Sequence, residues 1–353
     1  MSISKNVLFS LITAAVFFAV TEVSFRIIYG PPRASHDDII AEATTEGHTL
    51  LSNIDRTHAG ASIRTNELGL RDPRSPHKLQ DGTQILVLGD SFTFGWGVEI
   101  EQSYPSQLER LLNEENGQTR HEVINAGVPG YNTVHELALL EKIIGRYSPR
   151  WIVIGFHTED LKNHHERFHD QIQREKESGP VHAASVKPTW MNDARKEILS
   201  LANRSSFVAF LIKYYKTSFI RFIPPPEESL RNAGDFLNPL RFQATKIALK
   251  EIHAIAKAND AELLLFMIVP LIHWEAYPYG GLHEGLAVFC EENGIGFVDP
   301  LPEFSKYDAG TLWVALNDGH YSPQANAIAA RTLCDYLLRM EKMESTVVGH
   351  PGI

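Results

Sequence analysis

Cysteine is scarce in this chain: Cys290 and Cys334 are the only two in 353 residues. Two thiols cannot build a disulfide framework or, alone, a structural metal site, so an oxidising compartment would permit one bridge at most, and buried free thiols are the simpler expectation. Positive charge is in deficit as well, with 33 Lys and Arg against 43 Asp and Glu and a net charge of −10. Gripping nucleic-acid phosphates needs a clustered basic surface, and none stands out, so DNA and RNA are not expected partners. Internal repeats and low-complexity tracts are missing, which excludes repeat architectures. Long apolar runs occur once, over residues 7–28, interrupted by Glu22 and Arg26 at the i,i+4 spacing that lets them pair near a membrane interface. The uninterrupted core of about 14 residues suits a signal peptide, yet no A-x-A cleavage pattern follows, and the longer stretch suffices to span a bilayer. An uncleaved N-terminal membrane helix is therefore expected.

What is there begins with ILVLGDSFTFGWGV at residues 85–98. Four apolar residues suited to a buried parallel strand run into Gly89-Asp90-Ser91, and open α/β sheets place their chemistry in the loops beyond such strand ends. A helix starting near Ser91 would aim free N–H groups at an anion formed there, although a serine in that place can also serve only as a helix cap. Near the other end, Asn317-Asp318-Gly319-His320 precedes an apolar-periodic helix over residues 323–338. A serine hydroxyl becomes a nucleophile when an imidazole takes its proton and a carboxylate fixes that imidazole's tautomer, roles open to Ser91, His320 and Asp318.

Between these ends, residues 121–125, 150–156, 262–269 and 296–299 read as strands. Residues 104–113, 134–146, 242–259 and 282–292 carry apolar side chains at helical spacing. The alternation predicts an α/β, doubly wound, flavodoxin-like three-layer sandwich with a five-stranded parallel sheet, its functional loops converging on one edge. The apolar content of 43% is enough for one large domain. Residues 1–28 form the anchor, 29–80 a linker and extended lead-in, and 81–345 the main domain. An insertion at about 164–240 breaks the rhythm and suits a lid or substrate wall.

A competing motif is His165-Glu166-Arg167-Phe168-His169, which reads H-E-x-x-H and on a helix would offer His165 and His169 to zinc. Arg167 beside the ligands is electrostatically poor for a divalent cation and the flanks are polar, so a solvated helix is preferred and no metal or other cofactor is expected.

These blocks, in this order, resemble those of the SGNH or GDSL-type serine hydrolases. Gly89-Asp90-Ser91-Phe92 looks like the family's first block, Asn125-Ala126-Gly127-Val128-Pro129-Gly130 like its second and Asp318-Gly319-His320 like its last. Asn66-Glu67-Leu68-Gly69-Leu70-Arg71-Asp72 resembles the lead-in of membrane-anchored bacterial members. The resemblance implies Ser91 as nucleophile, His320 as base, Asp318 as its orienter, and the N–H groups of Ser91 and Gly130 as oxyanion donors. It also implies an extracytoplasmic catalytic domain acting on small-molecule, glycan or lipid esters. The third block departs from the pattern: Glu159 stands where the family carries an oxyanion-donating Asn, and an ionised carboxylate cannot donate. His157, Thr158 or Asn163 could substitute. The last block departs too, since the family's acid often lies three residues before the histidine, where this chain has Asn317. Hydrolysis of an ester is expected, with acyl transfer, or a noncatalytic glycan-binding or assembly module of the same fold, as the alternatives, and zinc hydrolysis through His165 and His169 ranked below them.

Overall fold

The computed structural model describes residues 5–29, 39–44, 47–115, 119–161, 205–208, 210–211, 236–238, 242–272, 274–315 and 318–348. In chain order the elements are α1 (Lys5–Tyr29), β1 (Ile40–Thr44), β2 (Gly47–Leu50), β3 (Asp55–His58), β4 (Ala61–Arg64), β5 (Thr83–Gly89), the single turn α2 (Ser91–Phe94), α3 (Tyr104–Glu115), β6 (His121–Gly127), α4 (Thr133–Ile143) and β7 (Trp151–Phe156). After the insertion come α5 (Gln243–Ala258), β8 (Glu262–Met267), α6 (Gly280–Asn293), β9 (Gly296–Val298), α7 (Leu301–Phe304), β10 (Trp313–Ala315), β11 (Asp318–Tyr321) and α8 (Pro323–Val348). The described residues fall into two compact units, one drawn from residues 1–35, 182–226 and 315–317 and the other from the remainder.

The first unit contains α1. Residues 9–27 have a mean hydropathy of 1.6 and no buried position, making α1 long and apolar enough to cross a membrane. Arg26 Nε meets Glu22 Oε1 at 2.7 Å, the i,i+4 pair its spacing predicts. The second Glu22 oxygen takes the Ser205 hydroxyl at 2.7 Å, and the Phe25 ring packs against Phe207 and Phe210.

The second unit is built on a parallel sheet of order β6-β5-β7-β8-β9, the doubly wound flavodoxin-like topology. Alternate residues of each strand enter opposite cores because side chains alternate across a strand. Leu86, Leu88, Ile152, Ile154, Leu263 and Leu265 join the core under α4, α5 and α6. Ile85, Val87, Val123, Val153, Leu264 and Phe266 join the one under α3 and α8. Cys290 and Cys334 lie in different cores as buried free thiols. Burial pushes both up to about 12, so neither is an ionised nucleophile at neutral pH.

Residues 29–80, expected to be linker and extended chain, contain two antiparallel hairpins, β1–β2 and β3–β4. Their strands are only four or five residues long and rich in polar and charged side chains, so the brief alternation of β4, Ala61-Ser62-Ile63-Arg64, is too short to announce a hairpin.

The strand ends at the site carry three glycines in register: Gly89 pairs with Gly127 on one side and with Gly155 on the other. The α2 turn lies across them. A Cβ on Gly127 would sit 2.7 Å from the Thr93 carbonyl carbon, and one on Gly155 would sit 2.8 Å from the Tyr104 hydroxyl. Thr93 and Tyr104 share a 2.8 Å hydrogen bond beneath the turn. Gly127→Ala is therefore expected to lower stability by about 1–3 kcal/mol through overpacking, measured by denaturant unfolding of the purified full chain.

Helix α4 buries one carboxyl, Glu136, completely, and neither of its oxygens has a hydrogen-bond partner. Burial, reinforced by the charges of Asp160 and Asp90, raises it well above its ordinary value of 4.5. The folded chain thus holds a proton there that the unfolded chain releases above about pH 4.5, so this group costs stability as pH rises through the window between the two values. Glu136→Gln should raise the melting temperature at pH 7.5, with the gain shrinking toward pH 4.5. Thermal unfolding at both pH values checks this.

Candidate active site

The turn that carries Ser91 is held from both ends. Asp90, not Ser91, caps α2: its Oδ1 accepts the Phe92 N–H at 2.8 Å, leaving the Ser91 hydroxyl for other partners. At the far end the buried Arg71 guanidinium donates through Nη1 to the Phe94 and Gly95 carbonyls, at 2.7 and 2.6 Å. Its Nη2 donates to the Ser62 and Val98 carbonyls, at 3.0 and 2.8 Å. Burial lowers Arg71 to about 10, with Glu99 and Glu101 opposing the shift, and it remains a cation at neutral pH. The lead-in motif thus supplies the group that saturates the carbonyls around the nucleophile.

Ser91, His320 and Asp318 come together although 229 positions separate the first two. Ser91 Oγ lies 2.7 Å from His320 Nε2, and His320 Nδ1 lies 2.6 Å from Asp318 Oδ1. The same carboxylate oxygen accepts the His320 backbone N–H at 3.0 Å. The two-residue spacing works because the carboxylate reaches across Gly319 to both the amide and the ring of one residue. Asp318 is 5% exposed, which sets its charge in a poorly solvated place beside the imidazole. Asn317 lies outside the described residues.

Neighbours that the sequence reading did not single out fix this loop. The Tyr321 hydroxyl accepts from the Val269 N–H at 2.7 Å and donates to the Val269 carbonyl at 3.1 Å, tying β11 to the end of β8. Asn326 donates to the Tyr321 and Ser322 carbonyls, both at 3.0 Å, and accepts the Tyr104 N–H at 2.9 Å. The Phe92 ring contacts His320 and His157 with centroids 4.7 and 4.8 Å apart, and Trp96 approaches His320 at 6.1 Å. A buried asparagine after a Ser-Pro pair was the one available signal for this lock.

Gly130 follows β6 in an exposed turn with φ +83°, a conformation that favours glycine. The loop is tied to the nucleophile strand by the Val128 N–H donating to the Gly89 carbonyl at 2.9 Å. After β7, His157 Nδ1 stands 3.5 Å from Asp90 Oδ2, and the buried Asp160 accepts the His157 N–H at 2.6 Å, the Thr133 N–H at 2.5 Å and the Thr133 hydroxyl at 2.8 Å. Asp160 thereby links the third strand's loop to the start of α4. The Glu159 side chain, Asn163 and the histidine motif with His165 and His169 lie outside the described residues, as does most of the insertion. Among the described residues no group of three His, Cys, Asp or Glu is arranged to hold a metal ion.

Comparison with known proteins places this geometry. The GDSL-like lipase/acylhydrolase family profile matches residues 87–328. An arylesterase of Vibrio mimicus is 33% identical over 81 residues, 23% of this chain and 40% of the relative. Thioesterase 1/protease 1/lysophospholipase L1 of Escherichia coli K12 is 30% identical over 70 residues, 20% of this chain and 31% of the relative. The chain thus spans well under two thirds of the length of these relatives. Among solved structures, TesA shares 14% identity at a TM-score of 0.41, covering 71% of this chain and 96% of its own. Axe2, an acetylxylan esterase from Geobacillus stearothermophilus, shares 15% at a TM-score of 0.41, covering 72% and 94%. With a profile match that takes in the nucleophile turn, the glycine turn after β6 and the loop of Asp318 and His320, the chain belongs to the GDSL-like lipase/acylhydrolase family.

Proposed function

We propose that the protein is a membrane-anchored serine esterase in which Ser91, His320 and Asp318 form the catalytic triad. The observation that carries this reading is the continuous hydrogen-bonded chain from Ser91 Oγ through His320 to Asp318, at 2.7 and 2.6 Å. Ser91 Oγ attacks the acyl carbonyl as His320 Nε2 takes its proton, and Asp318 holds the ring with Nδ1 protonated. The negative charge developing on the carbonyl oxygen is met by the N–H groups of Ser91 and Gly130. Collapse expels the alcohol, which takes the proton from His320 and leaves an acyl-serine. Water then enters, giving its proton to His320 as it attacks, and Ser91 is regenerated as the carboxylic acid leaves.

The substrate class is an acyl ester of a carbohydrate or lipid, with O-acetyl groups included. The chain is organised as an anchor over residues 1–28, a lead-in over 29–80 and a hydrolase domain over 81–345 with an insertion at about 164–240. The chain is anchored through α1, and the likeness of the lead-in to membrane-anchored bacterial members supports a domain on the extracytoplasmic side.

The test is labelling of the detergent-solubilised full chain with a fluorophosphonate probe, alongside hydrolysis of p-nitrophenyl acetate. Ser91→Ala is expected to abolish labelling, and Asp318→Asn to lower kcat by about 10³- to 10⁴-fold with the protein still folded by circular dichroism. Labelling retained in Ser91→Ala would sink the triad. No labelling of folded wild-type protein would favour a glycan-binding module, with Glu159 in place of a donor as the reason.

A further inference from the structure

The turn that carries Gly130 has two ways to lie. It closes through the Tyr131 N–H to the Val128 carbonyl at 3.1 Å, with Pro129 second and Gly130 third at φ +83°, the pattern of a type II turn. Types I and II differ in the orientation of the middle peptide, here the one joining Pro129 to Gly130. A trans peptide is planar, so its carbonyl and N–H point opposite ways. One orientation offers the site a donor. The other offers it a carbonyl oxygen, which repels an oxyanion.

His48, on β2, packs against this peptide. Its ring faces the Pro129 residue, whose backbone offers only a carbonyl because proline has no N–H. Its Cε1 stands 3.6 Å from where a Gly130 Cβ would be, and its Nε2 is buried with no hydrogen-bond partner. Burial lowers the ring's basicity, so at neutral pH it is uncharged and carries one N–H. The Tyr131 hydroxyl donates to the His48 backbone carbonyl, and the two rings meet edge to face at 5.3 Å. The residues on both sides of Gly130 are therefore engaged by His48.

We infer that His48 is a positioning residue for the oxyanion site: its ring N–H holds the Pro129 carbonyl, and the rigid peptide then keeps the Gly130 N–H turned into the site. This rests on the reading of Gly130 as an oxyanion donor. The ring nitrogen is unpartnered in the resting chain, and its bond to the Pro129 carbonyl forms as the oxyanion does.

The experiment compares wild type, His48→Phe and His48→Gln as full chains in detergent, with p-nitrophenyl acetate as substrate and a phenylboronic acid as inhibitor, since its tetrahedral anion occupies the oxyanion site. His48→Phe should lower kcat about 3- to 10-fold, the value of one neutral hydrogen bond, with KM within about twofold. The boronate inhibition constant should rise by a similar factor, and His48→Gln, which keeps an N–H, should recover most of both. Wild-type kinetics in His48→Phe would overturn the inference, as would equal losses in the two variants, which would mean packing alone. If wild type shows no Ser91-dependent turnover, the esterase reading has failed separately. The Gly130 amide resonance then decides the latch: a shift in the Phe variant that the Gln variant lacks supports it, and no shift in either rejects it.

Discussion

Close packing of the α2 turn and its Thr93 side chain on bare glycine backbone at the ends of three strands is the contact from which the site is built. Gly89, Gly127 and Gly155 stand in register on adjacent parallel strands, and the absence of three side chains leaves room for the α2 turn to lie across the sheet edge. That seat sets the height of Ser91 above the sheet and brings Thr93 down to the Tyr104 hydroxyl. Every other part of the site is placed relative to it. Arg71 saturates the carbonyls at the far end of the turn, Asp90 satisfies an amide at the near end, and the Gly130 loop is sewn to the same strand through the Gly89 carbonyl. A methyl group in the row would move the nucleophile before it touched any reacting atom.

The same region concentrates negative charge and deals with it in several ways. Asp318 is met by the ring and amide of His320, Asp160 by three donors, and Asp90 by an amide and the nearby His157 ring. Glu136 is left without a partner and keeps its proton instead. Holding that carboxyl neutral matters for chemistry that builds a further negative charge, because an extra buried anion within reach would oppose it in a poorly screened interior.

How much of this was legible follows from the range of the interactions involved. The three central strands could be read because buried parallel strands are runs of apolar residues, and 85–88, 151–154 and 263–266 are such runs. The serine and histidine turns could be read because each is a local pattern at a strand end. Arg71 was visible only as a letter in a motif: its four carbonyl partners lie as far as 27 positions away, and nothing local to it announces them. Glu136 has the spacing of a surface residue on an amphipathic helix, yet the start of α4 is buried on all sides against the site, so periodicity misplaces it. The polar hairpins of the lead-in escaped for the converse reason, since their strands are four or five residues long and mostly polar.

The reach of Arg71 also bears on what a protease could do to this protein. The guanidinium comes from a segment outside the parallel sheet, but it is buried under the nucleophile turn and holds it by four carbonyls. A cut on the N-terminal side of Ile39 would sever the covalent link to the apolar helix and leave the hairpins, His48 and Arg71 attached to the sheet. A cut a few dozen residues later, between Asp72 and Thr83, would leave the whole five-stranded sheet with Ser91, Asp318 and His320 on one fragment, and Arg71 on the other. Loss of the apolar helix and loss of the Arg71 clamp are thus separated along the chain only by the length of the lead-in.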